Sequence, residues 1–160
     1  KTKIRRLIQN KIQNTEVRDT RMYKKIIVPV DLAHAGKLTK ALKTAADLAR
    51  HYQVPVCYVG VTTATPGPLG HNPAEYTTKL EAFARTQGEE NGIETSSHTV
   101  VAHDPTIDLD PALIKAIDDT GSDLVVMASH VPNVADYLWP SNGGTVAGRS
   151  KASVFVVRES

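Results

Sequence analysis

Short runs of aliphatic and β-branched residues alternate along this chain with segments of helical periodicity. The first run, KKIIVPV from Lys24 to Val30, is continuous rather than alternating, the pattern of a strand buried on both faces. Leu38, Ala41, Leu42, Ala45, Leu48 and Ala49 then keep helical spacing and predict a helix from about residue 35 to 52. Val54 to Thr62 (VPVCYVGVT) reads as a second strand, with Pro55 tolerable near its start. A Pro/Gly-rich loop over residues 63–71 leads to Asn72-Pro73-Ala74-Glu75, which carries the marks of a helix start: Asn as N-cap, Pro at the first helical position, Glu at the third. Tyr76, Leu80, Phe83 and Ala84 give that helix its apolar face, and Asn91-Gly92 ends it.

Ile93 to Ala102 contains a third strand, less apolar than the others and so expected nearer an edge. After a loop from His103 to Asp110, Asp110-Pro111 opens a helix with Leu113, Ile114 and Ile117 facing inward and Gly121 closing it. Asp123 to Met127 is a fourth strand, about Asn142 to Arg149 a short helix, and Ala152 to Val157 (ASVFVV) a fifth strand. Strands alternating with helices in this way predict an α/β fold: a doubly wound, Rossmann-like five-stranded parallel sheet with helices on both faces.

Composition narrows the setting. An apolar fraction of 41% and a charged fraction of 22% over 160 residues describe one ordinary globular domain. No apolar run reaches the roughly 18–20 residues of a membrane span, and no secretory signal pattern opens the sequence. The single cysteine, Cys57, cannot form an internal disulfide, which fits a reducing cytoplasm. The net charge of +2 is unevenly distributed: residues 1–21 hold seven Lys or Arg against Glu16 and Asp19, a balance of +5, and the remainder sums to −3. The body is therefore not read as a nucleic-acid binder. Met22-Tyr-Lys-Lys looks like the start of a domain, so residues 22–160 are read as the domain and residues 1–21 as a basic extension or linker. Ile4, Leu7, Ile8 and Ile12 would make residues 3–14 an amphipathic basic helix, either a solvated or docked tail or a linker beside an anionic membrane surface.

In an open parallel sheet, ligands bind beyond the carboxyl ends of the strands where the winding reverses. That rule singles out Asp31 after the first strand, Val61 and Thr62 at the end of the second, and the stretch Met127–Thr145 (MASHVPNVADYLWPSNGGT) after the fourth. Asp31 either caps the following helix or accepts hydrogen bonds from an adenine amino group or a ribose. Ser129, Ser141, Asn142 and the amides around Gly143 are the phosphate donors this loop offers. The six histidines (34, 51, 71, 98, 103 and 130) lack metal-ligand spacing, and no phosphate-binding glycine motif or nucleophile elbow is present. Cys57 lies within a strand and reads as a buried thiol. No catalytic residue and no metal site is assigned.

Lys24-Lys-Ile-Ile-Val-Pro-Val-Asp31 with its alanine-rich helix, and Asp123-Leu-Val-Val-Met-Ala-Ser-His130 through Ser153-Val-Phe-Val-Val157, resemble the two signatures of the universal stress protein family from Met22 to Arg158. The resemblance implies strand order 3-2-1-4-5, a cytoplasmic homodimer paired through Ser153–Val157, and a regulatory role in the stress response. It further implies AMP or ATP bound with adenosine against Asp31 and Val61 and phosphates along Met127, Ala128, Ser129, Ser141, Asn142 and Gly143; it leaves magnesium undecided. The family's G-x2-G-x9-G-[ST] pattern is altered here, with Ala128, Val131 and Pro140 or Ser141 where its glycines stand, which is closer to the short F- and G-type bacterial members. The alternative reading is a nucleotide-independent dimerisation or regulatory module, the cytoplasmic part of a larger membrane transporter. Slow ATP hydrolysis is the least supported reading, because no base and metal-ligand set can be named.

Overall fold

The apolar runs form five strands: β1 (Ile26–Pro29), β2 (Val56–Thr62), β3 (Thr95–Val101), β4 (Leu124–Ala128) and β5 (Ser153–Val157). The computed structural model describes residues 19–104, 109–129 and 143–159. The predicted basic helix over residues 3–14 and the loop residues Val131, Pro140, Ser141 and Asn142 lie outside them. All strand pairings are parallel and the order is β3-β2-β1-β4-β5, as the doubly wound reading requires. Parallel strands covered on both faces must be apolar throughout, and all four residues of β1 are buried.

Four helices cover the sheet: α1 (Thr39–Tyr52), α2 (Pro73–Asn91), α3 (Leu109–Thr120) and α4 (Gly143–Arg149). One core layer joins Ile26, Val28 and Val30 to Ala41, Leu42 and Ala45 of α1 and to Tyr76 and Leu80 of α2. The other joins Ile27, Val59, Val125 and Met127 to Leu113 and Ile117 of α3 and Val146 of α4. Ile114 is only half-buried; Ala112 and Ala116 share the inward face with Leu113 and Ile117. Asn72 caps α2 as its sequence predicts, its side chain accepting the Glu75 amide at 3.0 Å, and Gly92 ends the helix in the left-handed conformation.

Two boundaries differ from expectation for identifiable reasons. Lys24 and Lys25 precede the strand, because their amides donate to the Asp123 carboxylate at 3.0 and 3.1 Å rather than to a neighbouring strand. The helix expected from residue 35 begins at Thr39; Leu32–Lys37 forms a tighter 3-10 turn, with His34 off helical geometry at φ −127°. Since α1 begins at Thr39 without a side-chain cap at Leu38, its free amides are satisfied from the far end of the chain. Glu159 accepts from Ala41 at 2.7 Å and from Lys40 at 3.2 Å, while the Lys40 ammonium donates to the Arg158 carbonyl at 2.8 Å.

Tyr58 is fully buried in the α1–α2 layer, edge-on to Phe83 at 5.4 Å. Its hydroxyl has no hydrogen-bond partner among the described residues, and burial pushes its pKa from 10.0 up to about 12. The folded state thus favours the neutral phenol: its contribution to stability is complete below pH 10 and is lost as pH climbs toward 12. Urea unfolding of Tyr58→Phe should show stability at neutral pH unchanged or raised by up to about 1 kcal/mol, since an orphaned hydroxyl is removed. The alkaline fall in stability should become shallower in the same variant.

Candidate functional site

The site begins with a missing donor in the central strand. Successive residues of a strand direct their amides to opposite neighbours. The Ile26 and Val30 amides donate toward β2, to the carbonyls of Pro55 at 3.0 Å and Val59 at 2.8 Å. Residues 27 and 29 therefore face β4, and Pro29 has no N–H to give. Pairing between β1 and β4 stops at Ile26↔Leu124 and Ile27↔Val125, although β1 continues to Pro29 and β4 to Ala128. This gap in the ladder lies at the carboxyl end of the sheet, where the winding direction reverses, and marks the candidate crevice.

Asp31 leaves β1 at the mouth of this crevice. The β1–β2 register, which pairs Pro29 with Val59, carried two residues further sets Asp31 level with Val61. The Asp31 carboxylate serves its own chain: Oδ1 accepts the Ala33 amide at 3.0 Å, capping the 3-10 turn, and Oδ2 lies 2.8 Å from Nδ1 of His34. Val61 is half-buried beside its register partner Val100, against the α3–α4 layer. On the opposite wall, Met127 is buried and Ala128 and Ser129 are half-buried. The Ser129 amide prolongs the ladder past β4 by donating to the Val157 carbonyl at 2.6 Å.

Gly143 opens α4 and is buried against this wall. A Cβ there would stand 2.7 Å from Cγ2 of Val156 and 3.8 Å from Sδ of Met127, so only glycine lets α4 sit this close to the sheet. Met127 and Gly143 thus meet on one wall, and Asp31 and Val61 end neighbouring strands at the same level. Ser141 and Asn142 lie outside the described residues.

Sequence reasoning missed three contributors. Pro29 was read only as part of an apolar run, although proline in a central strand is itself a signal. His34, three residues after Asp31, had none of the spacing that marks a ligand. Tyr76 was assigned only to a helix face, but its hydroxyl presses on β2 at Gly60, where a Cβ would also meet Cε1 at 2.8 Å and Cζ at 2.9 Å. Burial, and then the nearby Asp31 charge, raise the Tyr76 phenol well above its ordinary range. The sign available in sequence was Gly60 itself, a glycine inside a strand immediately before Val61.

Two surface grooves lie elsewhere: one between α2 and β3 near Arg85, Glu89 and Ser96, another between α1 and α2 near Leu42, Lys43, Phe83 and Glu90. Among the described residues no group of three or more His, Cys, Asp or Glu side chains is placed to share a metal ion. Cys57 is buried in β2, and that burial raises its thiol.

Residues 22–158 match the universal stress protein family. The chain belongs to that family. It is 27% identical over 151 residues to universal stress protein G of Salmonella typhimurium, an alignment covering 86% of this chain and all of the relative. Among solved structures, the universal stress protein of Archaeoglobus fulgidus superposes with a TM-score of 0.61 at 20% identity, covering 84% of this chain and 93% of that one. A universal stress protein from Archaeoglobus fulgidus in complex with dAMP gives 0.57 at 20% identity, covering 84% and 97%. A family member from Arabidopsis thaliana with AMP bound gives 0.58 at 9% identity, covering 86% and 92%.

The Gly60–Tyr76 contact yields a direct test. Gly60→Ala should force Tyr76 off its position beside Asp31 and lower stability by about 1–3 kcal/mol in denaturant unfolding, the cost of overpacking a filled site. The double variant Gly60→Ala/Tyr76→Leu should recover part of that loss.

Proposed function

We propose that residues 22–160 form a cytoplasmic regulatory domain of the stress response that binds AMP or ATP in the crevice between β1 and β4, with residues 1–21 as a basic extension. The observation that carries this reading is the interrupted β1–β4 ladder, with Asp31 following β1 on one side and Met127, Ala128 and Ser129, with Gly143 near Met127, on the other. Adenosine would lie toward Asp31 and Val61, and the phosphates toward Ser129, Gly143 and the loop residues Ser141 and Asn142. Neighbours of the same fold that carry dAMP or AMP support an adenine nucleotide as the ligand class. Binding rather than turnover is the proposed activity, since the walls supply anchoring groups and no named general base.

In thermal-shift or calorimetric titration, ATP or AMP at one hundred times its Kd should stabilise the domain by about 2.7 kcal/mol. Asp31→Ala should weaken binding by about two- to tenfold, since the carboxylate is already hydrogen-bonded within the chain and the ligand gains only a net hydrogen bond of roughly 0.5–1.5 kcal/mol. No stabilisation by millimolar nucleotide, with or without magnesium, would sink this reading. It would favour the second, a nucleotide-independent dimerisation or regulatory module, which is motivated by the altered glycine pattern of the loop.

The proposed assembly is a homodimer through β5. Among the described residues that strand pairs only with β4, and its Phe155 and Val156 remain 46% and 48% exposed, an apolar edge of the kind that invites pairing with a second strand. Phe155→Glu should convert a dimer to a monomer in light scattering. A protein already monomeric at high concentration would refute the assembly. No helix among the described residues is long and apolar enough to cross a membrane, so any membrane association is proposed to be indirect, through a fused transporter.

A further inference from the structure

Asp31 reaches the crevice with both carboxylate oxygens already engaged by its own chain. The two donors differ in kind. The Ala33 amide is part of the backbone, and releasing Oδ1 would undo the 3-10 turn that links β1 to α1. The His34 ring is a side chain, and rotation about its own bonds would release Oδ2 with the backbone in place. His34 is also held ready for the contact: its backbone departs from helical geometry at φ −127° and ψ 22°, and its amide donates to the Asp31 carbonyl at 3.0 Å. Those features turn the imidazole back onto the carboxylate.

The pair is neither buried nor freely solvated, with side chains 26% and 15% exposed for His34 and Asp31. Partial burial weakens the competition from water, and hydrogen bonds to an ionised carboxylate are the stronger class. A nucleoside brings the same kind of group that His34 already presents: a ribose hydroxyl or an exocyclic amine is a donor seeking a carboxylate acceptor.

We propose that His34 is a resident competitor for Asp31, an affinity-setting residue whose ring holds the Oδ2 position that a nucleotide donor would take. This rests on the nucleotide-binding reading above and adds to it the residue that limits affinity. Nucleotide binding becomes an exchange of donors on one carboxylate, so the strength of the His34 contact is subtracted from what the ligand gains.

The test compares ATP and AMP binding by calorimetry for the wild-type chain, His34→Ala, His34→Gln, and His34→Ala combined with Asp31→Asn. His34→Ala frees Oδ2 and should bind about five- to tenfold more tightly than wild type, the scale of one net hydrogen bond. His34→Gln keeps an N–H donor at this position and should stay closer to wild type. The gain should vanish in the double variant, which no longer offers a carboxylate. Thermal unfolding of the unliganded variants separates this from a structural role: His34→Ala should bind more tightly without being more stable when empty.

Equal affinity in wild type and His34→Ala overturns the proposal while leaving the nucleotide reading intact. Weaker binding in His34→Ala also overturns it, because His34 would then be a ligand of the nucleotide. If neither the wild type nor His34→Ala binds ATP or AMP, the nucleotide reading and this one fall together.

Discussion

One absent amide organises the working end of this molecule. β1 is the central strand, shared by both core layers, and its seam with β4 is fastened at one end and open at the other. At the amino end, the Asp123 carboxylate takes the amides of Lys24 and Lys25, and the Lys25 carbonyl takes the amides of Asp123 and Leu124 at 3.1 and 3.3 Å. At the carboxyl end, Pro29 stands where a donor toward β4 is required. A β-ladder propagates one bond at a time, so losing that donor ends pairing at Ile27↔Val125 and leaves the strand end before Asp31 unpaired on that side. The crevice is consequently a property of the backbone, and side chains such as Val61 and Met127 only furnish it.

The far side of the crevice is tied to the rest of the fold through the chain's last described residues. The Val157 carbonyl takes the Ser129 amide, which fixes the start of the loop after β4. Two residues later, Glu159 takes the amides of Lys40 and Ala41 at the start of α1, the helix that follows Asp31 and its 3-10 turn. The segment from Val157 to Glu159 therefore connects the β4–β5 side of the opening to the element that begins on the β1 side. A change at the exposed β5 edge has a short covalent and hydrogen-bonded route to both walls. This is a physical connection between two elements; it becomes allosteric only if a ligand on one side favours one arrangement of the other.

The order of elements was legible because buried parallel strands leave continuous apolar runs that helical periodicity cannot imitate, and Val56–Thr62 and Leu124–Ala128 read that way directly. Local chemistry was equally legible at Asn72-Pro73, where cap and first helical position adjoin. Boundaries were lost where a distant group satisfied the backbone. Nothing beside Lys24 announces that Asp123 will take its amide, nor does anything near Leu38 announce a cap 118 residues away from Ala41. The candidate site could be named as a location, through the rule that strand ends at a switch point bind ligands, and the strand order puts Asp31 and β4 at that switch point. Its interior was not legible, because Tyr76 over Gly60 and His34 on Asp31 are pairings whose members each have an ordinary local explanation, as a core aromatic and a surface histidine.

Asp31 shows why such a site is difficult to judge from residue identity alone. A carboxylate at a strand end has a capping role and a ligand role that demand the same atoms, and the fold already uses those atoms. A partly buried acceptor left without a donor would cost about 1–3 kcal/mol. Ala33 and His34 remove that cost, so the open crevice needs no occupant for the domain to be stable. The same economy limits any ligand, whose new hydrogen bond to Asp31 counts only by its excess over the one it displaces. In the nucleotide-binding reading proposed above, the capping role of Asp31 therefore does not compete with a binding role but sets the reference from which that role would be measured.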